Sequence, residues 1–68
     1  MRYAVIVERS ANGFGAYVPD LPGCAVVAET RDEAVKLIRE AVELHLESLR
    51  EEGSPIPEPV STTEYVQV

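Results

Sequence analysis

The sequence predicts an α+β domain of order β-β-β-α-β, and three observations carry that reading. Short apolar runs with strand chemistry, separated by turn residues, fill positions 3–28. A single amphipathic helical pattern then opens at a Thr-x-x-Glu start and closes at a glycine. A connector with proline at alternate positions leads into a last run rich in Thr, Tyr and Val.

Residues 3–7, Tyr-Ala-Val-Ile-Val, form a continuous apolar run. β-branched residues in such a run suit a strand buried on both faces, hence a central place in a sheet. Arg9-Ser-Ala-Asn12-Gly13 follows; Asn-Gly favours a tight hairpin because both residues tolerate positive φ. Residues 14–18, Phe-Gly-Ala-Tyr-Val, read as the return strand, and Pro19 closes it because proline cannot donate to a ladder. Pro19-Asp20-Leu21-Pro22-Gly23-Cys24 is a turn with two prolines and a glycine, and residues 25–28, Ala-Val-Val-Ala, make a third strand. Tight connections make these three an antiparallel meander.

Thr30 and Glu33 form a capping box, in which the Thr30 hydroxyl accepts from the Glu33 amide and the Glu33 carboxylate reaches back to the Thr30 amide. The helical pattern continues to about Glu52, with Gly53 placed for a left-handed cap. Ala34, Leu37, Ile38, Ala41, Val42, Leu44, Leu46 and Leu49 share one sector, with Val35 at its border; Lys36, Arg39, Glu40, Glu43, Glu47 and Arg50 oppose it. The apolar arc spans roughly 200°, wider than an ordinary surface helix needs. Packing on a sheet covers part of it; the remainder is either a shallow edge or a second contact surface.

Ser54-Pro55-Ile56-Pro57-Glu58-Pro59 is a stiff, extended connector. Residues 62–68, Thr-Thr-Glu-Tyr-Val-Gln-Val, then read as a fourth strand. Laid parallel beside strand one, it gives the sheet order 3-2-1-4 with the helix packed on one face. Residues 1–68 make one domain.

At this length folding hides only about 60% of the unfolded chain's surface, so oligomerisation or partner binding is expected. The net charge is −6, from twelve acids and six bases. Such a surface repels a phosphate backbone and attracts a basic protein, though it also serves plain solubility. A single cysteine excludes an intrachain disulfide. No run approaches the roughly 20 apolar residues of a membrane helix, and no signal peptide is recognisable. The expected location is the cytoplasm, with neither membrane nor direct nucleic-acid partner.

The chemistry-bearing residues are few. His45, the only histidine, falls near the centre of the apolar helix sector, where its ring packs at a sheet rim or subunit contact. Ser48 lies one turn on, but no acid on that face completes a catalytic set. Cys24 has no basic neighbour in sequence to lower its pKa and reads as a small buried hydrophobe. One histidine and one cysteine fall short of a metal site. Asp20, Leu21, Pro22 and Gly23 form a rigid turn that is either structural or partner-contacting; Leu21 is pinned in the core or exposed as an anchor. Glu40, Glu43 and Glu47, with Glu51, could meet a basic partner, and equally describe a solvated helix face.

The six-residue run from Pro19 to Cys24, set before Thr30, Glu33 and Ala34, resembles the HicB family, as does Gly53-x-x-Ile56-Pro57-x-Pro59 after the helix. The resemblance covers residues 1–68. It implies a truncated RNase H-like fold and an antitoxin that covers the active site of a small basic HicA-type toxin, an RNA-cleaving protein. Many members carry a C-terminal DNA-binding domain that represses their own operon; the sequence stops at Val68, where that domain would begin, so the resemblance implies a stand-alone toxin-facing module.

An RNase H-like fold raises the possibility of a nuclease, which needs carboxylates converging on metals about 4 Å apart. The middle of the first strand is Val5-Ile6-Val7, with no acid until Glu8, and Glu43 and Glu47 lie on the polar helix face. The expectation is therefore a binding protein, with no enzyme activity, cofactor or metal. Two readings follow: an antitoxin that neutralises a basic toxin, or an orphan homo-oligomer (dimer or higher) in a regulatory or structural role.

Overall fold

The computed structural model describes residues 1–68. It contains β1 (Ile6–Ser10), β2 (Gly13–Tyr17), β3 (Ala25–Ala28) and α1 (Arg31–Glu52). The strands form one antiparallel sheet in the order β1-β2-β3, with α1 packed across it.

The first hairpin forms one residue earlier than Asn-Gly suggests. Ser10 pairs with Gly13, leaving Ala11 and Asn12 as the loop, and only Gly13 takes positive φ (154°). Gly13 is required there for a second reason: a Cβ on it would run into the Ala28 carbonyl oxygen. The strand therefore extends through Arg9 and Ser10. Its ladder begins only at Ile6, opposite Tyr17. Val18 turns its backbone away from β1, its amide donating to the Cys24 carbonyl (3.1 Å) and its carbonyl accepting from Leu21 (3.1 Å), and the next residue placed to bond back to β1 is Pro19, which has no N–H.

Those bonds build the turn between β2 and β3. Val18 to Leu21 closes one β-turn with Pro19 at its second position. Leu21 to Cys24 closes the next (3.0 Å), with Pro22 second and Gly23 at φ 83° third, as a type II turn demands. The corner residues Val18, Leu21 and Cys24 all point inward and are buried.

At the start of α1 the Thr30 hydroxyl accepts from the Glu33 amide (3.1 Å). The Glu33 carboxylate accepts from the Glu29 amide (3.3 Å), one residue before the partner a capping box predicts. The helix ends in a Schellman motif: Gly53, at φ 72°, donates to Arg50 and Ser54 donates to Leu49.

The core is small. Ala16, Val18, Leu21, Cys24, Ala34 and Ile38 are buried, and Tyr3, Val5, Val7, Phe14, Val26, Ala28, Ala41, Val42 and Leu46 pack around them. Strand alternation sends Val5, Val7, Phe14, Ala16 and Val26 toward the helix, and Ile6, Tyr17 and Val27 to the opposite, uncovered face.

Residues 62–68 form no strand, so the expected fourth strand and the order 3-2-1-4 are absent; β2 is central and β1 is an edge. The tail nevertheless runs alongside β1 in the same direction. Arg2, Tyr3 and Ala4 share a depression with Pro59, Ser61, Thr62 and Thr63. Val5, Ile6 and Val7 share the next with residues 62–65. Pro59 has no N–H, and the Val60 and Ser61 amides are committed to the Asp20 carboxylate. Tyr65 is left 96% exposed.

Candidate partner-binding site

The turn from Pro19 to Cys24 does two structural jobs. Leu21 is fully buried in the core, which corrects its candidacy as an exposed anchor. The Asp20 carboxylate accepts hydrogen bonds from the Val60 amide (3.0 Å), the Ser61 amide (2.8 Å) and the Ser61 hydroxyl (2.7 Å). Those bonds hold the Asp20 carboxyl below the ordinary carboxylate range, chiefly through the Ser61 amide and then its hydroxyl; desolvation opposes them, and the Val60 amide adds a smaller share. The Tyr3 hydroxyl ties down the same connector by donating to the Pro57 carbonyl. Pro19, Pro22 and Gly23 are the exposed residues of this turn.

Glu40, Glu43 and Glu47 are exposed along α1. Nearer the helix start the surface is mixed, since Arg31, Lys36 and Arg39 line one depression with Asp32, Glu40 and Glu43. The turn and the acidic row are thus separate surfaces; Asp20 and Leu21 face the tail and the core, not the row.

Two further surfaces stand out, the first of which the sequence left open as a shallow edge or a second contact surface. Gly23, Ala25, Ala41, Leu44, His45 and Leu49 line a shallow groove between α1 and the start of β3, and Leu44 there is 64% exposed. The over-wide apolar arc was the signal for it. His45 is half-buried on its wall, and Cys24 is buried with a thiol pKa raised by desolvation, so it is held protonated. The second surface is the uncovered sheet face, which the sequence does not mark because residues 3–7 and Ala25-Val-Val-Ala28 are apolar at every position and set neither side apart.

No three His, Cys, Asp or Glu side chains converge in a geometry that could hold a metal ion. No helix is long and apolar enough to cross a membrane. What the surface offers is shape, apolar area and charge.

Known proteins share this arrangement. A chain of a solved HicA3 and HicB3 toxin–antitoxin complex superposes with a TM-score of 0.74 and 33% identity, covering 88% of this chain and 70% of its own. A UPF0150 protein of Synechocystis is 41% identical over 56 residues, covering 81% of this chain and 71% of its own. A 14.9 kDa protein of Haemophilus phage HP1 is 30% identical over 66 residues; the match covers 97% of this chain, which spans only 50% of the phage protein. Residues 3–68 match the family described as HicB-like antitoxin of bacterial toxin–antitoxin systems. With the match extending over nearly every residue and the fold shared, the chain belongs to the HicB-like antitoxin family.

Proposed function

We propose that this domain binds and sterically blocks a small basic HicA-type toxin that cleaves mRNA, in the cytoplasm, and performs no catalysis itself. The observation that carries this is the likeness to a chain of a HicA3–HicB3 complex over 88% of the present sequence. The net charge of −6 supports it, because an acidic cover draws in a basic, RNA-binding partner and speeds their encounter. Glu40, Glu43 and Glu47 supply charge, and Pro22 and Gly23 a rigid contact edge; Asp20 and Leu21 hold that edge in place from beneath.

In the toxin complex proposed for this chain, residues 62–68, of which 62–65 already run beside β1, close onto its open edge as a fourth strand and give the order 3-2-1-4. Val7 and Arg9 offer their N–H and C=O groups on that side, since Ile6, Glu8 and Ser10 are the residues bonded to β2.

The test is co-expression with a small basic HicA-type toxin, taken from the neighbouring reading frame where one is encoded there, followed by pull-down and growth rescue. Copurification and rescue are expected. A toxin that stays active and unbound beside folded antitoxin rejects the reading.

A further inference from the structure

We infer that Asn12 is a site of spontaneous covalent modification, its side chain closing on the Gly13 backbone nitrogen to form a succinimide that water opens to aspartate and isoaspartate. The inference does not rest on toxin binding.

Asparagine is thermolabile because its side-chain carbonyl carbon lies within reach of the next backbone nitrogen. Attack there closes a five-membered ring inside one chain, so the reacting groups never have to find each other. Asn12 is the chain's only asparagine, and glycine follows it, with no Cβ to hinder the approach. Asn12 stands in the two-residue loop between β1 and β2, where it is exposed. None of the side-chain hydrogen bonds in the structure involves it, so its amide is free to turn toward Gly13. The restraint on the reaction is the pairing of Gly13 with Ser10. That pair is the last of its ladder, where local opening leaves the other pairs intact.

The steps balance with water alone. The Gly13 nitrogen bonds to the Asn12 Cγ, the Cγ–Nδ2 bond breaks, and Nδ2 leaves as ammonia with the proton that Gly13 gives up. Water then cleaves one of the two ring carbonyls from the nitrogen. Cleavage at Cγ restores the ordinary main chain with aspartate at position 12. Cleavage at the main-chain carbonyl leaves the chain running through Cγ, which is isoaspartate, with one more methylene in the backbone.

Both products disturb this corner of the fold. Asn12 shares a depression with Glu29 and Glu33, so a third carboxylate there is repelled by two others. Isoaspartate lengthens the tight loop and displaces Gly13, which packs so closely on β3 that a Cβ would strike the Ala28 carbonyl oxygen. The hairpin that carries the central strand therefore loosens as the chain ages.

The test is to hold the purified full chain in neutral buffer at physiological temperature and sample it over days to weeks. Each sample is read by fragment mass spectrometry, by enzymatic methyl transfer to isoaspartate, and by thermal unfolding. A peptide of residues 8–17 serves as the unfolded reference. Loss of Asn12 to a mixture of aspartate and isoaspartate is expected, with a falling thermal midpoint and with Gln67 unchanged. Asn12→Gln closes only a slower six-membered ring, and should keep its mass and its midpoint. Should that variant fold poorly, the fragment masses of the unmodified chain decide. Asn12 left intact in the folded chain while the peptide is fully converted overturns the proposal. So does conversion to aspartate with no isoaspartate, which would bypass the ring, or a midpoint that stays fixed as Asn12 is lost.

Discussion

Asp20 and Ser61 hold each other across 41 positions of chain, the carboxylate of one accepting both the amide (2.8 Å) and the hydroxyl (2.7 Å) of the other. With the Val60 amide on the same carboxylate, this bond set is the fastening between the β2–β3 turn and the C-terminal tail. One aspartate thus fixes the path of the connector.

Asp20→Asn should loosen the tail and lower the thermal midpoint, with Ser61→Ala doing so to a smaller degree because the amide bonds survive. Since the folded-state carboxyl is held below its unfolded value, its contribution is fully present above the ordinary carboxylate range and is lost as pH falls through the folded value. Unfolding midpoints measured from neutral to strongly acidic pH should fall for the unmodified chain. Asp20→Asn should lack that component of the fall; an unchanged acid limb would show that Asp20 contributes nothing.

Gly13→Ala should destabilise the hairpin by about 2 kcal/mol or more, since it adds strain at positive φ to a collision with the Ala28 carbonyl oxygen. Both effects fall where β1, β2 and β3 meet, so no neighbouring side chain can yield to absorb them. Urea unfolding followed by circular dichroism measures the loss. Gly23→Ala, at positive φ with open space around it, separates the two effects: it should cost less than Gly13→Ala.

Leu21→Ala should cost about 2–5 kcal/mol, as expected for truncating a fully buried leucine. Stability of roughly 0.05–0.15 kcal/mol per residue leaves a 68-residue domain little reserve, so this variant should be largely unfolded at 37 °C. Far-ultraviolet circular dichroism and proteolysis read this directly. Pro22→Ala, in the same turn but exposed, should remain folded, which separates the turn's buried corner from its surface.

The helix and its ends were legible in the sequence because they are set by local chemistry: Thr30 and Gly53 sit where their side-chain oxygen and lack of a Cβ are used. The hairpins were legible too, to within the one-residue shift of the Ala11-Asn12 loop. What could not be read is long-range. Nothing near Asp20 in sequence announces Ser61, and that pairing sets the path by which the connector reaches residues 62–68. The apolar run at residues 3–7 suggested two buried faces, yet Ile6 points to the uncovered side and only Tyr3, Val5 and Val7 join the core. Leu21 shows the same limit in reverse. Its turn was plain, but whether the side chain faced in or out depended on two consecutive β-turns reversing the chain onto the helix.

Replacing Glu40, Glu43 and Glu47 together with Gln should weaken capture of a basic toxin mainly through the association rate. These side chains are exposed, so their field acts before contact, and each costs little to neutralise in the free protein. Removing the Glu43–Glu47 repulsion at i,i+4 should leave the helix at least as stable. Association rates for the unmodified antitoxin should drop steeply as salt is raised from low to physiological strength, where the screening length falls to about 8 Å. The triple variant should show a shallower salt dependence and a several-fold slower association at low salt, with dissociation little changed. Stopped-flow mixing with the toxin measures both. Unaltered association kinetics in the triple variant would place the toxin on another surface of the domain, and the same rates measured for Pro22→Ala would show whether that surface is the β2–β3 turn.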